Sequence, residues 1–446
     1  MENNSSAGGH RESRQHEGCR HPDKALERSE VNIEGFTTNK KSMNKIIYYV
    51  SITLLTVVSS CGNKETNVSR KLTLDNCPVI AQVINLQGDP VTNLDFSSVK
   101  DTFNLPLSSL LSSFQVIRLE NSEDALTATG QDTHIAVSDH YILVKSFRAG
   151  SSCKLYNRNG DFIRKISSQG QGPDEYNLSI YDQYLDENNN KIYLMEIRAS
   201  KILVFDLDGQ PQKHIPLAYI THKGRFVIND EKKTVTVMCI PFQGTPTALI
   251  WTQDFEGNII QEYPVSDQFM LIPSTYDYEV RESLNTNASD FYLHNCIASQ
   301  DTLYHYDIDS NTLHPVFTMH TGHEPICHYF TELPNHFLVT WYTQTSWNNE
   351  LPRFPKILVD KQSLKGCFVN LKWNMLGNID GPTNPSFNRG YFTAIMEPYA
   401  LKEQLEKVLI SNQKLSPEVL RKVKELNNRI TDDDNCIVFI GKLKTK

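Results

Sequence analysis

The apolar positions of this chain fall in short runs separated by turn-forming residues, a spacing that predicts strands rather than helices. One two-strand signature recurs: an apolar run, an Asp or Asn, a few turn residues, then a second run. The clear copies are KLYNRNGDFIRKI from Lys154, ILVFDLDGQPQKHIPL from Ile202 and LIWTQDFEGNIIQEYPV from Leu249. Looser copies are LYHYDIDSNTLHPVFTM from Leu303 and ILVDKQSLKGCFVNL from Ile357. The pivots Asn157, Asp206, Asp254, Asp307 and Asp360 follow one another at 49, 48, 53 and 53 residues. Asp and Asn suit such pivots because their side chains bond the backbone of the turn that follows. Gly160, Gly209 and Gly257 come three residues after the first three pivots and supply positions with positive φ.

Further strand-like runs precede these hairpins: 134–139 and 141–147 before the first, QYLDE and KIYLMEI (191–197) before the second, DFYLHNCIA before the fourth and HFLVTWY before the fifth. Four strands in roughly 50 residues is the size of a propeller blade. Five hairpins and an incomplete unit predict an all-β fold, a six-bladed β-propeller closed by N- and C-terminal strands. FQVIRLE (114–120) and CIVFIGKLK (436–444) are the closing strands. Closure of this kind removes exposed sheet edges. The rhythm breaks once, at a short helical insertion near the C-terminus (396–428). There, 396–411 and 416–428 read as amphipathic helices, the second opened by Ser416-Pro417-Glu418. Tyr399, Leu401, Leu405 and Val408 or Leu409 are expected to form one apolar face of the first helix, packed on the last blade.

The only long apolar run, IIYYVSITLLTVVSS (46–60), is too short to span a bilayer as a helix. Lys40, Lys41 and Lys45 precede it and small residues close it, the order of a secretory signal peptide. Its end, Val58-Ser59-Ser60-Cys61-Gly62, resembles a bacterial lipobox, which implies cleavage before Cys61 and lipidation of its thiol. The organisation expected is therefore a disordered extension over 1–42 from a start called too early, with Met43 the natural start. A lipoprotein signal peptide over 43–61, a tether and leading segment over 62–100, and the propeller over 101–446 follow.

The chain has 446 residues, 44 basic and 52 acidic, with a net charge of -8. Residues 1–61 hold 8 basic and 7 acidic residues, leaving 36 and 45. An acidic body argues against a nucleic-acid footprint, which needs clustered Lys and Arg. Seven cysteines follow Cys61, an odd number without a CxxC pair, mostly in strand contexts such as CKLY, VMCI and CIVFI. They read as buried small hydrophobes rather than a disulfide framework.

At this point the residues match a family. LSSLLSSFQVIRLE (107–120), YNRNGDFIRKISSQGQGPDEY (156–176), the FDLDG turn, MEPYALKEQLEK and the ending DDDNCIVFIGKLK resemble the six-bladed β-propeller lipoproteins of gut Bacteroidetes, which are similar in style to NHL-repeat propellers. The resemblance spans roughly residues 100–446. It implies the propeller fold and lipidation, and it brings no catalytic motif.

Several motifs carry candidate chemistry. GQGPDEY (170–176) has the glycines of a phosphate-cradling loop, but such a loop leads into a helix and here a strand is expected. It reads as a crossing between blades, pinned by Glu175 and Tyr176. HTGHEPICH gathers His320, His323, Cys327 and His328, at a spacing that matches no closed zinc module. Asp206-Leu207-Asp208-Gly209 and Asp432-Asp433-Asp434 lack the remaining ligands of a calcium loop and read as turns. No GxSxG elbow or HExxH helix is present. No cofactor or metal is expected.

The remaining candidates are positional. Loops between the second and third strands of each blade surround one mouth of a propeller channel. Those loops carry Arg148, Arg198, His294, Trp347 and Arg353. Two arginines aimed at one opening favour a carboxylate, sulfate or phosphate. The reading is a membrane-anchored lipoprotein of the cell envelope, held at the outer membrane by its lipid. It acts as a monomeric binding or scaffold module for a glycan, peptide or protein. The alternative is a hydrolase or lyase with its active site at the channel mouth, which rests on fold analogy alone.

Overall fold

The Asp and Asn pivots make the turns that their chemistry requires. Asn157 Oδ1 accepts from the N–H groups of Asn159 and Asp161 at 2.9 and 3.0 Å. Asp206 Oδ1 accepts from Gln210 at 2.8 Å, and Asp254 Oδ1 from Glu256 and Asn258, both at 2.9 Å. Asp307 and Asp360 do the same for Asp309 (2.9 Å) and Ser363 (2.7 Å). Gly160, Gly209 and Gly257 sit at φ 96°, 72° and 92°. In the two looser copies Asn311 and Leu364 take the left-handed position instead, at φ 54° and 58°.

The structure is a computed structural model. It describes residues 72–128, 133–145, 152–241, 248–267, 269, 279–294, 302–322, 327–342, 355–382 and 385–445. Four strands come first: β1 (Ala81–Leu86), β2 (Asp89–Asp95), β3 (Thr102–Pro106) and β4 (Gln115–Arg118). Blade 1 is β5 (His134–Val137), β6 (Tyr141–Lys145), β7 (Ser152–Asn157) and β8 (Phe162–Ser168). Blade 2 is β9 (Ile180–Asp186), β10 (Lys191–Glu196), β11 (Ala199–Phe205) and β12 (Ile215–Thr221). Blade 3 is β13 (Gly224–Asn229), β14 (Thr234–Cys239), β15 (Ile250–Asp254) and β16 (Ile259–Tyr263). Blade 4 is β17 (Glu279–Arg281), β18 (Ser289–His294), β19 (Thr302–Asp307) and β20 (Thr312–His320). Blade 5 is β21 (Cys327–Glu332), β22 (His336–Tyr342), β23 (Lys356–Asp360) and β24 (Gly366–Trp373), extended at its end by β25 (Ile379–Asp380). Blade 6 is β26 (Ser386–Asn388), β27 (Tyr391–Met396) and β28 (Ile437–Lys442), with β4 as its outermost strand.

The ring therefore closes as expected, by a C-terminal strand beside an N-terminal one. β28 pairs antiparallel with β4 in the register Ile437↔Arg118 to Ile440↔Gln115. The ion pair Arg118 Nη2–Asp434 Oδ1 (2.8 Å) reinforces the seam. Asp434 thus belongs to a clamp, and its own turn is set by the Thr431 N–H at 2.9 Å.

The rim differs from the sequence reading. Residues 81–95, placed there in a leading segment ahead of the ring, are part of it. β2 adds to β20 of blade 4 in parallel, and β3 adds to β24 of blade 5 in parallel. The strap thus runs along the outer strands of blades 4 and 5 before β4 enters blade 6. Parallel pairing between such distant segments leaves no local signature, because no hairpin joins them.

The apolar cores lie between blades. Leu143, Leu155, Ile192 and Phe205 fill the space between blades 1 and 2, and Tyr193, Val204, Phe226 and Trp251 that between blades 2 and 3. Met238, Ile250, Phe291 and Tyr304 join blades 3 and 4, while Leu303, Phe317, Phe330 and Val339 join blades 4 and 5. Trp373, Phe392 and Phe439 join blades 5 and 6, and Val438, Ile440, Ile142 and Tyr156 join blades 6 and 1. Both faces of each middle strand are buried, which explains why KIYLMEI and ILVF read as near-continuous apolar runs. Each such side chain contributes about 1.5–3 kcal/mol, and none of it is available to a blade alone.

The helical insertion lies between β27 and β28 as α1 (Pro398–Ile410) and α2 (Pro417–Arg429). Ser416 caps α2 by accepting from the Val419 N–H at 3.3 Å. Leu401 and Leu405 are buried in the core shared by blades 5 and 6, but Tyr399 is 61% exposed. Two residues in a helix are about 200° apart, so Tyr399 and Leu401 cannot share a face. Among the described residues, no helix is long and apolar enough to cross a membrane.

Candidate functional site

The first strand of each blade faces the ring axis, so β5, β9, β13, β17, β21 and β26 frame a central channel. A cavity of about 1460 Å³ opens beside β5, β9, β13 and β26. It is lined in the channel by His134, Tyr184, Arg225, Asn388, Arg389 and Tyr391, and extends past Lys356 and Asp380 to Tyr399, Glu403 and Lys407 of α1.

Arg225, at the start of β13, reaches back to blade 2. Its Nη1 donates to Asp182 Oδ1 at 3.0 Å and to the Tyr181 carbonyl at 3.1 Å, and its Nε donates to the Val280 carbonyl of blade 4 at 3.3 Å. The cation lies 4.8 Å from the centre of the Tyr181 ring. Asp182 is 5% exposed, and its other oxygen accepts from the Phe226 N–H at 3.0 Å. Burial works against the arginine's charge. The attraction of Asp182, then of Tyr181 and Glu282, outweighs it and holds its pKa above the ordinary arginine value. The remaining nitrogen, Nη2, makes no hydrogen bond among the described residues.

Arg389 follows β26 and comes from the opposite side of the ring. It stands at φ 50° and its N–H donates to the Ser283 carbonyl at 2.8 Å. Its Nη2 donates to the Phe226 carbonyl (3.2 Å) and to Glu282 Oε1 (3.3 Å), and its cation lies 4.4 Å from the Tyr184 ring centre. The Glu282 side chain is 1% exposed, and its Oε2 is buried without a hydrogen bond. Burial, then repulsion from Asp182, pushes its pKa up to about 8 against the pull of Arg389 and Arg225. Ionisation of this carboxyl is therefore disfavoured where it meets the Arg389 cation.

Arg281, at the end of β17, is a further cation near these groups but does not line the cavity. It lies 3.9 Å over the ring centre of Tyr329, and its buried Nε has no hydrogen-bond partner. His134 registers the combined field: burial, then the charges of Arg225, Lys145 and Arg281, lowers its pKa to about 3. It is a neutral imidazole throughout the physiological range. Lys145 is itself buried, with Nζ donating to the Ile180 carbonyl at 2.9 Å and to Ser179 Oγ. The carboxylate of Asp182 is engaged by Arg225, so at this end of the cavity Arg225 and Arg389 are the cations, while Asp380, Glu397 and Glu403 lie toward α1.

Of the sequence-selected ligand-binding residues, Arg198 alone has a described side chain. Arg148, Trp347, Arg353 and Cys61 lie outside the described residues. His294 ends β18, its backbone opposite Glu279, and its side chain is outside the description. Arg198 stands in the tight turn between β10 and β11 at φ 60°, with its N–H bonded to the His222 carbonyl at 3.0 Å. Its side chain is exposed and does not line the cavity. Arg225 and Arg389, which do line the cavity, were not singled out. The available signal was an arginine in or just after the first strand of a unit, as in GRFVIN (224–229) and SFNR (386–389).

The GQGPDEY crossing is structural. Gly170 N–H donates to the Tyr176 carbonyl at 3.0 Å, and Gly172 N–H to Glu175 Oε2 at 2.9 Å. A Cβ on Gly170 would lie 1.9 Å from Glu175 Oε2. The strand β9 follows it, so the helix N-terminus of a phosphate loop is missing. His323 lies outside the described residues, so the HTGHEPICH cluster cannot be assembled from His320, Cys327 and His328. Among the described residues no group of His, Cys, Asp or Glu has a metal-holding arrangement.

Comparison with known proteins adds the following. The sequence profile of a family described as "Domain of unknown function (DUF4934)" matches residues 91–442. No curated protein matches the chain. A crystal structure from Bacteroides fragilis NCTC 9343, of a protein provisionally described as exported, is similar with a TM-score of 0.55 and 14% identity. It covers 79% of this chain and 100% of that one. At that identity the likeness shows the fold alone. A member of the DUF4221 family from Bacteroides vulgatus aligns with a TM-score of 0.41 and 10% identity, over 76% of this chain and 98% of that one.

Proposed function

The chain belongs to the family described as Domain of unknown function (DUF4934), and we propose that its propeller is an exported binding module whose axial channel takes an anionic group. The observation that carries this reading is Arg225. Its guanidinium is locked by Asp182 and two carbonyls, yet Nη2 remains unbonded beside the cavity. A fixed cation with a spare donor suits a carboxylate, sulfate or phosphate oxygen. Arg389 and neutral His134, which also line the cavity, bring no negative charge to that site. The rigid ring holds these groups in place without a ligand, which limits the ordering cost of binding.

Export and anchoring are part of the same proposal. The basic flank, apolar run and Val58-Ser59-Ser60-Cys61 order support a lipid on Cys61 that holds the ring at the outer membrane. A Cys61→Ala variant then partitions with soluble envelope proteins rather than with membranes.

The binding reading is tested on residues 62–446 with arrays of neutral glycans, uronate- and sulfate-bearing glycans, and acidic and basic peptides. Binding confined to the acidic probes, and lost in Arg225→Lys with the fold retained by circular dichroism, is the expected result. Arg225→Lys is the informative substitution because it keeps a cation beside Asp182 while removing the unbonded Nη2 donor. Equal binding of neutral and acidic probes defeats the reading.

A second reading, a hydrolase or lyase, is favoured by one observation: His134, whose pKa is displaced, lines a deep channel. Glu282 does not line the cavity, so it positions Arg389 and does not meet a substrate. Turnover of any acidic glycan or ester probe, abolished by His134→Ala, would favour this second reading.

A further inference from the structure

We infer that Cys77 and Cys367 form a disulfide in the exported protein, stapling the N-terminal strap to blade 5. In the structure they are two buried thiols with Sγ atoms 2.8 Å apart. Unbonded heavy atoms settle at roughly 3.5–4.0 Å, whereas a disulfide closes to about 2.0 Å. The pair sits between contact and bond, and the packing around it already presses the two sulfurs together.

The backbone explains why they meet. Val79 bridges Lys365 in antiparallel sense, flanked by Ile80 N–H to Leu364 O (3.0 Å) and Gly366 N–H to Pro78 O (2.9 Å). Those flanking bonds make Val79 and Lys365 a non-hydrogen-bonded pair. Continuing the register two residues places Cys77 opposite Cys367 in the next non-hydrogen-bonded position. Such pairs have Cα atoms about 4.5 Å apart, within the span that a disulfide bridges. Lys365 Nζ also donates to the Asp75 carbonyl at 2.9 Å, fixing the strap just ahead of Cys77.

The chemistry balances by thiol–disulfide exchange. One thiolate attacks the disulfide of an oxidant, either a dithiol oxidase of the envelope or oxidised glutathione in vitro. The second thiolate then displaces it, so two cysteine S–H bonds are lost, one S–S bond forms, and the oxidant leaves as two thiols. Burial raises the pKa of both thiols, so exchange belongs to the moment when the strap docks rather than to the finished ring. In the cell the staple rests on the export reading, because reducing compartments keep thiols apart.

The test separates the two. Purified residues 62–446 are refolded with oxidised glutathione, unfolded without reductant, alkylated, then reduced and labelled a second time. Cys77 and Cys367 are expected to take only the second label and to appear as one cross-linked peptide, about 2 Da lighter than the two thiols. The melting temperature should fall by about 5 °C or more on adding reductant, as expected for a bridge closing a long loop. The Cys77→Ala/Cys367→Ala double variant should be insensitive to reductant. First-label alkylation of both cysteines, with a melting temperature that ignores reductant, overturns the staple. The binding and anchoring readings are scored separately, on the arrays and on Cys61→Ala fractionation.

Discussion

Arg225 Nη1 of blade 3 lies 3.0 Å from Asp182 Oδ1 of blade 2, and the other oxygen of that carboxylate accepts the Phe226 N–H at 3.0 Å. The innermost strands of two blades are thus clasped by one buried acid. The same contact that fixes the ring at its axis aims the cation that the proposed ligand would meet.

Removing one member of a buried ion pair leaves the other charge uncompensated, typically at a cost of about 3–5 kcal/mol. Asp182→Asn should lose stability of that order in urea unfolding. The double variant Asp182→Asn/Arg225→Met should be less destabilised than the two single changes would suggest together. Strict additivity would mean that the clasp carries no coupling.

Glu282 gives a pH dependence of defined sign. Burial, then repulsion from Asp182, pushes its carboxyl from an ordinary value of 4.5 up to about 8. Between those values the folded state holds a proton that the unfolded state has released, so stability contributed by this group falls as pH rises. The groups facing it are Asp182, Asp290, Arg225 and Arg389. Glu282→Gln, which mimics the protonated acid, should flatten the decline between about pH 5 and 8 by a few kcal/mol. Parallel curves for the two proteins would show that Glu282 ionises normally.

Gly160 stands at φ 96°, and an added Cβ would meet the Arg118 carbonyl at 2.0 Å. Arg118 is in β4, the strand that closes blade 6, so this turn of blade 1 packs on the seam. Gly160→Ala combines a strained backbone with a backbone clash and should cost about 2 kcal/mol or more. Gly88, at φ 98° with open space around it, meets nothing and should show only the smaller backbone penalty on the same substitution. Equal losses at both sites would mean that contact with the seam is unimportant.

Closure itself can be removed. Ending the chain after Thr431 deletes β28, leaving β4 without its partner and blade 6 with two strands. The inter-blade cores on either side of blade 6 both draw on Phe439, Val438 or Ile440. The shortened chain should show no cooperative thermal transition by circular dichroism. A transition like that of the full chain would mean that five blades suffice.

The repeat unit was readable along the chain because its chemistry is local. An Asp or Asn side chain reaches N–H groups two to four residues on, so Asn157, Asp206 and Asp254 mark their turns whatever surrounds them. Ser416 capping α2 belongs to the same class, and so does the strand periodicity that gave six blades and the closing segments 114–120 and 436–444. The staple pair and the strap were hidden, because Cys77 and Cys367 are 290 residues apart and parallel edge pairing has no turn to announce it.

The sequence by itself determined the blade, its count and the order of the strands, since each follows from side chains acting on their own backbone or from alternation along one strand. Only the tertiary structure decided what stands at the axis. Arg225 and Arg389 are separated by 164 residues, and each looks alone like a solvated charge. They share one channel because closing the ring turns every first strand inward. The field they create there, and the displaced protons of His134 and Glu282, exist only once water has been excluded and the distant charges have been brought within reach of one another.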